Sequence, residues 1–321
     1  MSHVHSERGA SRGRSDDLGR RDRACAAIPA AKAGSETEGG RRIPELSFAP
    51  GEGWARSHST FGMKPLYSSR GETTMATPMM KQAKVASPAE WVAARKELLK
   101  KEKEFTRLRD ELSRARRELP WEKVEKKYVF EGPKGKETLA DLFERRSQLI
   151  IYHFMLGPGW KEGCPSCSFI ADHFDGMRVH LAARDITLVA VSRAPLAEIE
   201  AFKKRMGWGF KWVSSHGTDF NLDYQVSREP GKAADEKVLY NYEMQAFPSE
   251  ERPGLSVFYK DAAGEVFHTY SSYARGLDLL VGAYNFIDLT PKGRNEEGLK
   301  NTMAWVRHHD KYGEGLVSLP R

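Results

Sequence analysis

The chain has 321 residues, 40 % of them apolar, and a formal charge of +7. That length suits one large domain with extensions, and no run of eighteen apolar residues is present to cross a membrane as a helix. Three cysteines exclude a secreted scaffold stapled by disulfides and suit a reducing compartment, so a cytoplasmic location is expected. The charge is uneven: residues 1–74 carry +3, residues 75–127 carry +6 and the remainder −2. A nucleic-acid reader would concentrate its basic excess on the folded surface, so that class is disfavoured.

Residues 1–74 are rich in Arg, Gly, Ser and Ala, with few aliphatic side chains and no sustained period. They read as disordered, and the first boundary falls near residue 80. Signal-peptide regions are missing, and Asp16, Asp17, Asp22, Glu36 and Glu38 are wrong for a transit peptide. The plainest expectation is an over-extended gene model, with translation beginning at Met63, Met75 or Met79.

From Ser87 the texture changes. Ser87-Pro88-Ala89-Glu90 has the form of a capping box with proline in the first helical position. The helix predicted over 87–120 repeats an apolar residue every seventh place, at Trp91, Leu98, Phe105, Leu112 and Leu119. Leu108 and Ala115 extend a second row that Lys101 interrupts. The helix either packs on its own domain or pairs with a second copy, which makes a homodimer through 88–119 a candidate. Pro120 ends it.

A strand and turn are predicted over Tyr128–Lys136, then a return strand entering a short helix near Phe143. The run Leu149–Leu156 reads as a buried strand, and a Gly-Pro-Gly loop carries it to Cys164-Pro165-Ser166-Cys167 and an amphipathic helix. Strand, loop, CxxC and helix is an order suited to thiol–disulfide chemistry. The helix N-terminus offers unpaired amides to a thiolate, Pro165 fits the first turn, and the second thiol lies one turn on. A structural zinc site would need two further ligands at matched spacing. The remaining cysteine, Cys25, is remote, and His153, His173 and His180 lack ligand-like spacing, so no metal or other cofactor is expected.

Further on, Ile186–Val191 is a second buried strand, followed by a helix bearing Leu196, Ile199, Phe202 and Met206 that Gly207 closes. Phe210–Val213 is a third strand, and the helical crossovers make these strands parallel. Residues 214–254 read as a long connection. Leu255–Tyr259 and Val266–Tyr270 form a hairpin around Asp261–Gly264, and a last helix is predicted over about 276–286. His308-His309-Asp310 reads as a polar helix end, because adjacent side chains diverge. Tyr240, Tyr242 and Trp208 read as core before pocket.

The motifs WVAARKELLKKEKEFTRLRDELSRARRELPW, GCPSCSF, DFNLDY, GLSVFYKDAAGEVFHTYSSYARGLD and DLTPKGR span about residues 85–312. On them the chain resembles the thioredoxin superfamily, and within it the thioredoxin-like domain of unknown function 899. The resemblance implies an α/β fold, a thioredoxin-like central mixed sheet flanked by helices, over 121–312, with the N-terminal helical extension before it and a tail at 313–321. It also implies a redox role for Cys164 as nucleophile and Cys167 as resolving thiol, with Pro165 and Ser166 between them and Trp160 nearby. Such proteins carry a cis-proline ahead of the hairpin strand, and Pro253 is its candidate. The expected partners are a disulfide-containing protein or a small thiol substrate and a thiol reductant, with neither nucleic acid nor membrane.

Peroxiredoxins of the same superfamily offer an alternative. GKETLADLF and SRAPLAEIEAFKKRMGWGFKWVSS resemble their scaffold, and Arg252 lies near where they keep an activating arginine. Their P-x-x-x-T/S-x-x-C pattern fails here, because Gly157 and Lys161 hold the Pro and Thr/Ser places. A non-enzymatic redox sensor or metal clip is the third class.

Overall fold

The computed structural model describes residues 83–313, apart from 230 and 234. The expectations for residues 1–80 and for the tail fall almost wholly outside the described residues.

Helix α1, Pro88–Arg117, begins as its sequence requires. The Ser87 N–H donates to Glu90 Oε2 at 2.9 Å, and the Glu90 N–H returns to Ser87 Oγ at 3.4 Å. None of its residues is buried. Its final turn meets the sheet where the Arg116 guanidinium lies 5.5 Å over the Tyr270 ring.

The strands are β1 (Glu122–Lys123), β2 (Val129–Gly132), β3 (Gly135–Thr138), β4 (Gln148–His153), β5 (Ile186–Ser192), β6 (Lys211–Ser214), β7 (Lys237–Tyr240), β8 (Glu243–Ala246), β9 (Gly254–Lys260) and β10 (Val266–Tyr273). Eight of them make one sheet in the order β1-β10-β9-β4-β5-β6-β2-β3. β4 lies parallel to β5, and β5 parallel to β6, as crossover helices dictate. On its other side β4 is antiparallel to β9, pairing His153 with Gly254. The unit β10-β9-β4-β5, with a helix between the two parallel strands, is the thioredoxin-like arrangement.

Alternation along β4 sends side chains to two cores. Tyr152 and, just beyond the strand, Phe154 enter the core beneath α2 (Pro165–Ala171), α3 (Phe174–Ala182) and α4 (Leu196–Arg205). Leu149 and Ile151 enter the opposite core with Phe130, Phe143 and Phe220, the last opening the short α5 (Phe220–Asp223). Each fully buried aromatic or aliphatic side chain contributes roughly 1.5–3 kcal/mol, so the two cores rather than α1 hold the domain.

Three elements differ from expectation. The helix after the CxxC breaks at Asp172–His173, where the Asp172 carboxylate accepts from Trp208 Nε1 at 2.8 Å and the His173 ring accepts the Ala283 N–H at 3.1 Å. The last helix is likewise two pieces, a 3-10 helix over Ala274–Leu280 and α6 over Gly282–Ile287, separated by Val281 at φ −82°, ψ 88°. The long connection contains the β7–β8 hairpin, whose turn residues Asn241 and Tyr242 both adopt positive φ. That geometry suits the two-residue turn of a twisted hairpin, but the Asn-Tyr pair hides it from sequence.

Candidate active site

The site begins where β4 leaves the sheet. The Cys164 N–H donates to the Met155 carbonyl at 3.0 Å, folding the 154–163 loop back so that Cys164 caps α2. Ser168 closes the first turn, with N–H and Oγ reaching the Cys164 carbonyl at 2.9 and 3.0 Å. Gly163 has to be glycine: a Cβ there would meet Phe154 at 2.5 Å and Phe202 at 2.7 Å. His308 fastens the same loop, bonding through Nε2 to the Gly163 carbonyl at 2.8 Å, while His309 turns away to Asp172.

Both cysteines are free thiols in different surroundings. Cys164 is partly exposed, and Cys167 is 1 % exposed. The Cys167 thiol, the amides of Cys167 and Ser166 and the Ser166 hydroxyl stabilise the Cys164 thiolate, lowering its pKa to about 7 against the opposing effect of burial. Burial, then the neighbouring Cys164, pushes Cys167 well above the ordinary thiol range. Such a pair holds a nucleophile near neutral pH beside a thiol that keeps its proton.

A cavity of about 350 Å³ opens over the pair, with Cys164, Ser166 and Cys167 in its lining. Tyr152, Met155, Ile170, Phe247 and Pro253 continue its lining. Another part of the lining comes from the segment after the sheet, including Leu277, Val281, Tyr284, Glu296 and Met303. This segment packs on α2: the Phe169 ring stands edge-on to Tyr284 and Trp305 with centroids 5.4 and 5.6 Å apart. The Tyr152 hydroxyl is buried without an aligned hydrogen-bond partner, close to the Cys167 thiol.

Of the residues singled out in the sequence, Cys164, Ser166, Cys167 and Pro253 come together, and Pro165 opens α2. Pro253 is not the cis-proline expected: every described peptide bond is trans. The extended loop is held there by the Arg252 N–H on the Val226 carbonyl at 2.7 Å and by Tyr240 Oη on the Pro253 carbonyl at 2.8 Å. Trp160 packs at the edge of the core and is not among the cavity residues. Arg252 is fully buried and does not itself line the cavity, donating from Nη1 to the Ser227 carbonyl at 3.2 Å and stacking on Tyr240 and on the lining residue Phe247. Tyr240 and Trp208 are core residues, whereas Tyr242 is exposed. Among the described residues no group of three His, Cys, Asp or Glu side chains could hold a metal ion, and no helix is long and apolar enough to cross a membrane.

The chain is similar to several solved structures. Peroxidoxin BcpB from Mycobacterium tuberculosis is 12 % identical over 53 % of this chain and 97 % of its own, with a TM-score of 0.35. PrxQ from Xylella fastidiosa is 13 % identical over 50 % of this chain and 88 % of its own, with a TM-score of 0.32. A candidate protein disulfide isomerase from Bacteroides thetaiotaomicron is 16 % identical over 56 % of this chain and 98 % of its own, with a TM-score of 0.30. Among curated proteins, none matches the sequence. The model of one family spans residues 80–312, taking in α1, the sheet, the dithiol and the wall of the cavity, and the chain thus belongs to the family described as bacterial protein of unknown function, DUF899.

Proposed function

We propose that the chain is a thiol–disulfide oxidoreductase, with Cys164 as nucleophile and Cys167 as resolving thiol. The observation that carries this reading is the opposed tuning of two thiols three residues apart in the lining of one cavity. The Cys164 thiolate attacks one sulfur of a substrate disulfide, forming a mixed disulfide and releasing half of the substrate as a thiolate that takes up a proton. Cys167 then loses its proton, attacks the Cys164 sulfur and releases the second half, closing the Cys164–Cys167 disulfide. Two protein thiols are oxidised and one disulfide becomes two thiols. A thiol reductant restores the dithiol, dithiothreitol in vitro and a cellular thiol in a reducing compartment such as the cytoplasm.

A peroxidase would use the same Cys164, with a sulfenic acid as intermediate. It ranks second because Arg252 does not itself line the cavity, being stacked on Tyr240 and on the lining residue Phe247, and Gly157 and Lys161 stand where peroxidases carry Pro and Thr/Ser. The test is mass spectrometry of the reduced protein after rapid mixing with a disulfide or with hydrogen peroxide. Exchange predicts a Cys164–Cys167 disulfide in the parent chain, an adduct trapped at Cys164 in Cys167→Ser, and neither in Cys164→Ser. Rapid oxidation by peroxide with slow reaction towards every disulfide would replace this reading with the peroxidase. Inertness towards both would leave a sensor or metal clip.

A further inference from the structure

On the exchange reading, we infer that the substrate is a low-molecular-weight disulfide with an apolar body and an ammonium or similar donor end, and not the disulfide of a folded protein. Cys164 faces a cavity of about 350 Å³, near the lower end of the range for small-molecule sites. The wall over it is packed structure: Tyr284 and Trp305 clasp Phe169, and the Ala283 N–H is bonded to His173. A disulfide on a protein surface would have to carry its own backbone into that space. Ile170, Leu277, Val281 and Met303 make most of the wall apolar, which favours a hydrocarbon body.

The polar groups set the sign of the other end. Two cations line the cavity: Arg275 lies 3.8 Å from Asp278, and Arg294 is held by Asp278 at 2.9 Å and Asp288 at 2.7 Å, with its guanidinium 3.8 Å over the Tyr284 ring. Glu296 is different. Burial opposes its charge, but hydrogen bonds from Tyr284, Trp305 and the Met303 amide outweigh burial and hold its carboxyl below the usual range. All three donors use Oε1, with Met303 N at 2.9 Å and Trp305 Nε1 at 2.7 Å. Among the described residues Oε2 carries no hydrogen bond and no cation lies within ion-pair distance of Glu296. Of the two lining carboxylates, Asp278 is paired with arginine, whereas Glu296 has no direct ion-pair partner, feels Arg294 only at longer range and keeps an acceptor oxygen.

The experiment mixes reduced protein with cystamine, bis(2-hydroxyethyl) disulfide, 3,3′-dithiodipropionate or insulin. Each rate is divided by that of free cysteine with the same disulfide. Cystamine should lead, the dianion should trail the neutral compound, and insulin should be slowest. In Glu296→Gln, which keeps an acceptor for the three wall donors, the cystamine advantage over the neutral disulfide should fall by about tenfold, the value of one hydrogen bond to a charged group. Insulin reacting as fast as cystamine would sink the substrate inference while leaving exchange intact. Equal rates for cystamine and the dianion would remove Glu296 from recognition. Inertness towards all four disulfides would count against the exchange reading itself.

A second, independent observation concerns α1. Trp91 is 62 % exposed and Phe105 59 %, and Leu98, Leu108 and Leu112 of the same stripe are also exposed. We infer that this stripe is covered by α1 of a second copy, in parallel register. With Trp91, Leu98, Phe105 and Leu112 at the first core position of each heptad and Ala94, Lys101, Leu108 and Ala115 at the second, the flanking positions are Glu97, Glu104, Glu111 and Glu118 on one side. Arg95, Glu102, Arg109 and Arg116 lie on the other. Parallel pairing sets Glu104 against Arg109 and Glu111 against Arg116, with Glu97 against Glu102 unfavourable on the flank and the two copies' Lys101 meeting in the core. Antiparallel pairing would set glutamate against glutamate along one whole side. Sedimentation of the full chain should give a dimer that Leu98→Glu with Leu112→Glu dissociates. Oxidised Ala94→Cys, in a chain whose native cysteines are serine, should cross-link two copies. A monomer at all concentrations would overturn the pairing, and a dimer that Ala94→Cys does not cross-link would overturn its parallel register.

Discussion

Cys164 and Tyr152 illustrate how one side chain tunes another. Ser166 supports the Cys164 thiolate through both its amide and its hydroxyl, so alkylation of Cys164 by iodoacetamide should rise with pH through about 7 and then level off. Ser166→Ala, lacking the hydroxyl, should move that midpoint upward. Tyr152 favours the Cys167 thiolate, yet its hydroxyl has no aligned partner while Cys167 is protonated. Tyr152→Phe should therefore slow resolution of the mixed disulfide by about tenfold, the cost of a hydrogen bond to a charged group. The urea midpoint should hardly fall, since no aligned hydrogen bond is removed. A parallel loss of stability and rate would point to packing instead. The cysteines and Ser166 were legible because their chemistry lies within four consecutive residues. Tyr152, Glu296 and Met303 were not, because tertiary packing brings them to the cavity from distant parts of the chain. Trp160 and Arg252, close to the expected places in sequence, are not among the residues that line the cavity.

The loop between β4 and α2 is the element on which the site depends. Gly163→Ala would drive a methyl group into Phe154 and Phe202, so either the loop or the aromatic core must shift. Overpacking of this kind costs about 1–3 kcal/mol, and chemical denaturation should show it. Because the Cys164 amide is held on Met155, the same change should also slow alkylation of Cys164. Unchanged reactivity would mean that the aromatic rings, not the loop, absorb the strain. Sequence periodicity located β4, β5, β6 and the β9–β10 hairpin, where apolar runs and turn residues agree. It missed the β7–β8 hairpin, whose tight turn uses Tyr242 at positive φ, and it joined helices that Asp172 and Val281 interrupt. Both interruptions answer to partners far along the chain, which a local pattern does not contain.

Across the whole molecule, the parallel direction of β4, β5 and β6 was legible because helical crossovers join them, whereas the order of the strands in the sheet and the enclosure of the dithiol were not. The fold also carries a pH dependence. Burial, and to a lesser extent His268, lowers the pKa of His153 from 6.5 to about 3 while its Nε2 bonds Ser256 at 2.8 Å. Between those two values the unfolded chain binds a proton that the native state refuses, so stability rises with pH there and is lost as pH falls from 6.5 towards 3. The slope from this residue approaches about 1.4 kcal/mol per pH unit. His153→Gln keeps a partner for Ser256 without the titration, and thermal midpoints between pH 7 and pH 4 should fall less steeply in that variant. Equal slopes would place the acid sensitivity elsewhere.

The wall of the cavity lies C-terminal to everything it covers. A ribosome making this chain releases Cys164 and Cys167 first, and Leu277 through Met303 follow only after both β9 and β10. At ~5–20 residues per second, the delay is on the order of ten seconds. During that interval the nascent dithiol meets its surroundings without the barrier that makes it selective in the finished protein. Discrimination by size is thus acquired late in synthesis, and a polysome-bound chain would be open to thiol partners that the mature one turns away.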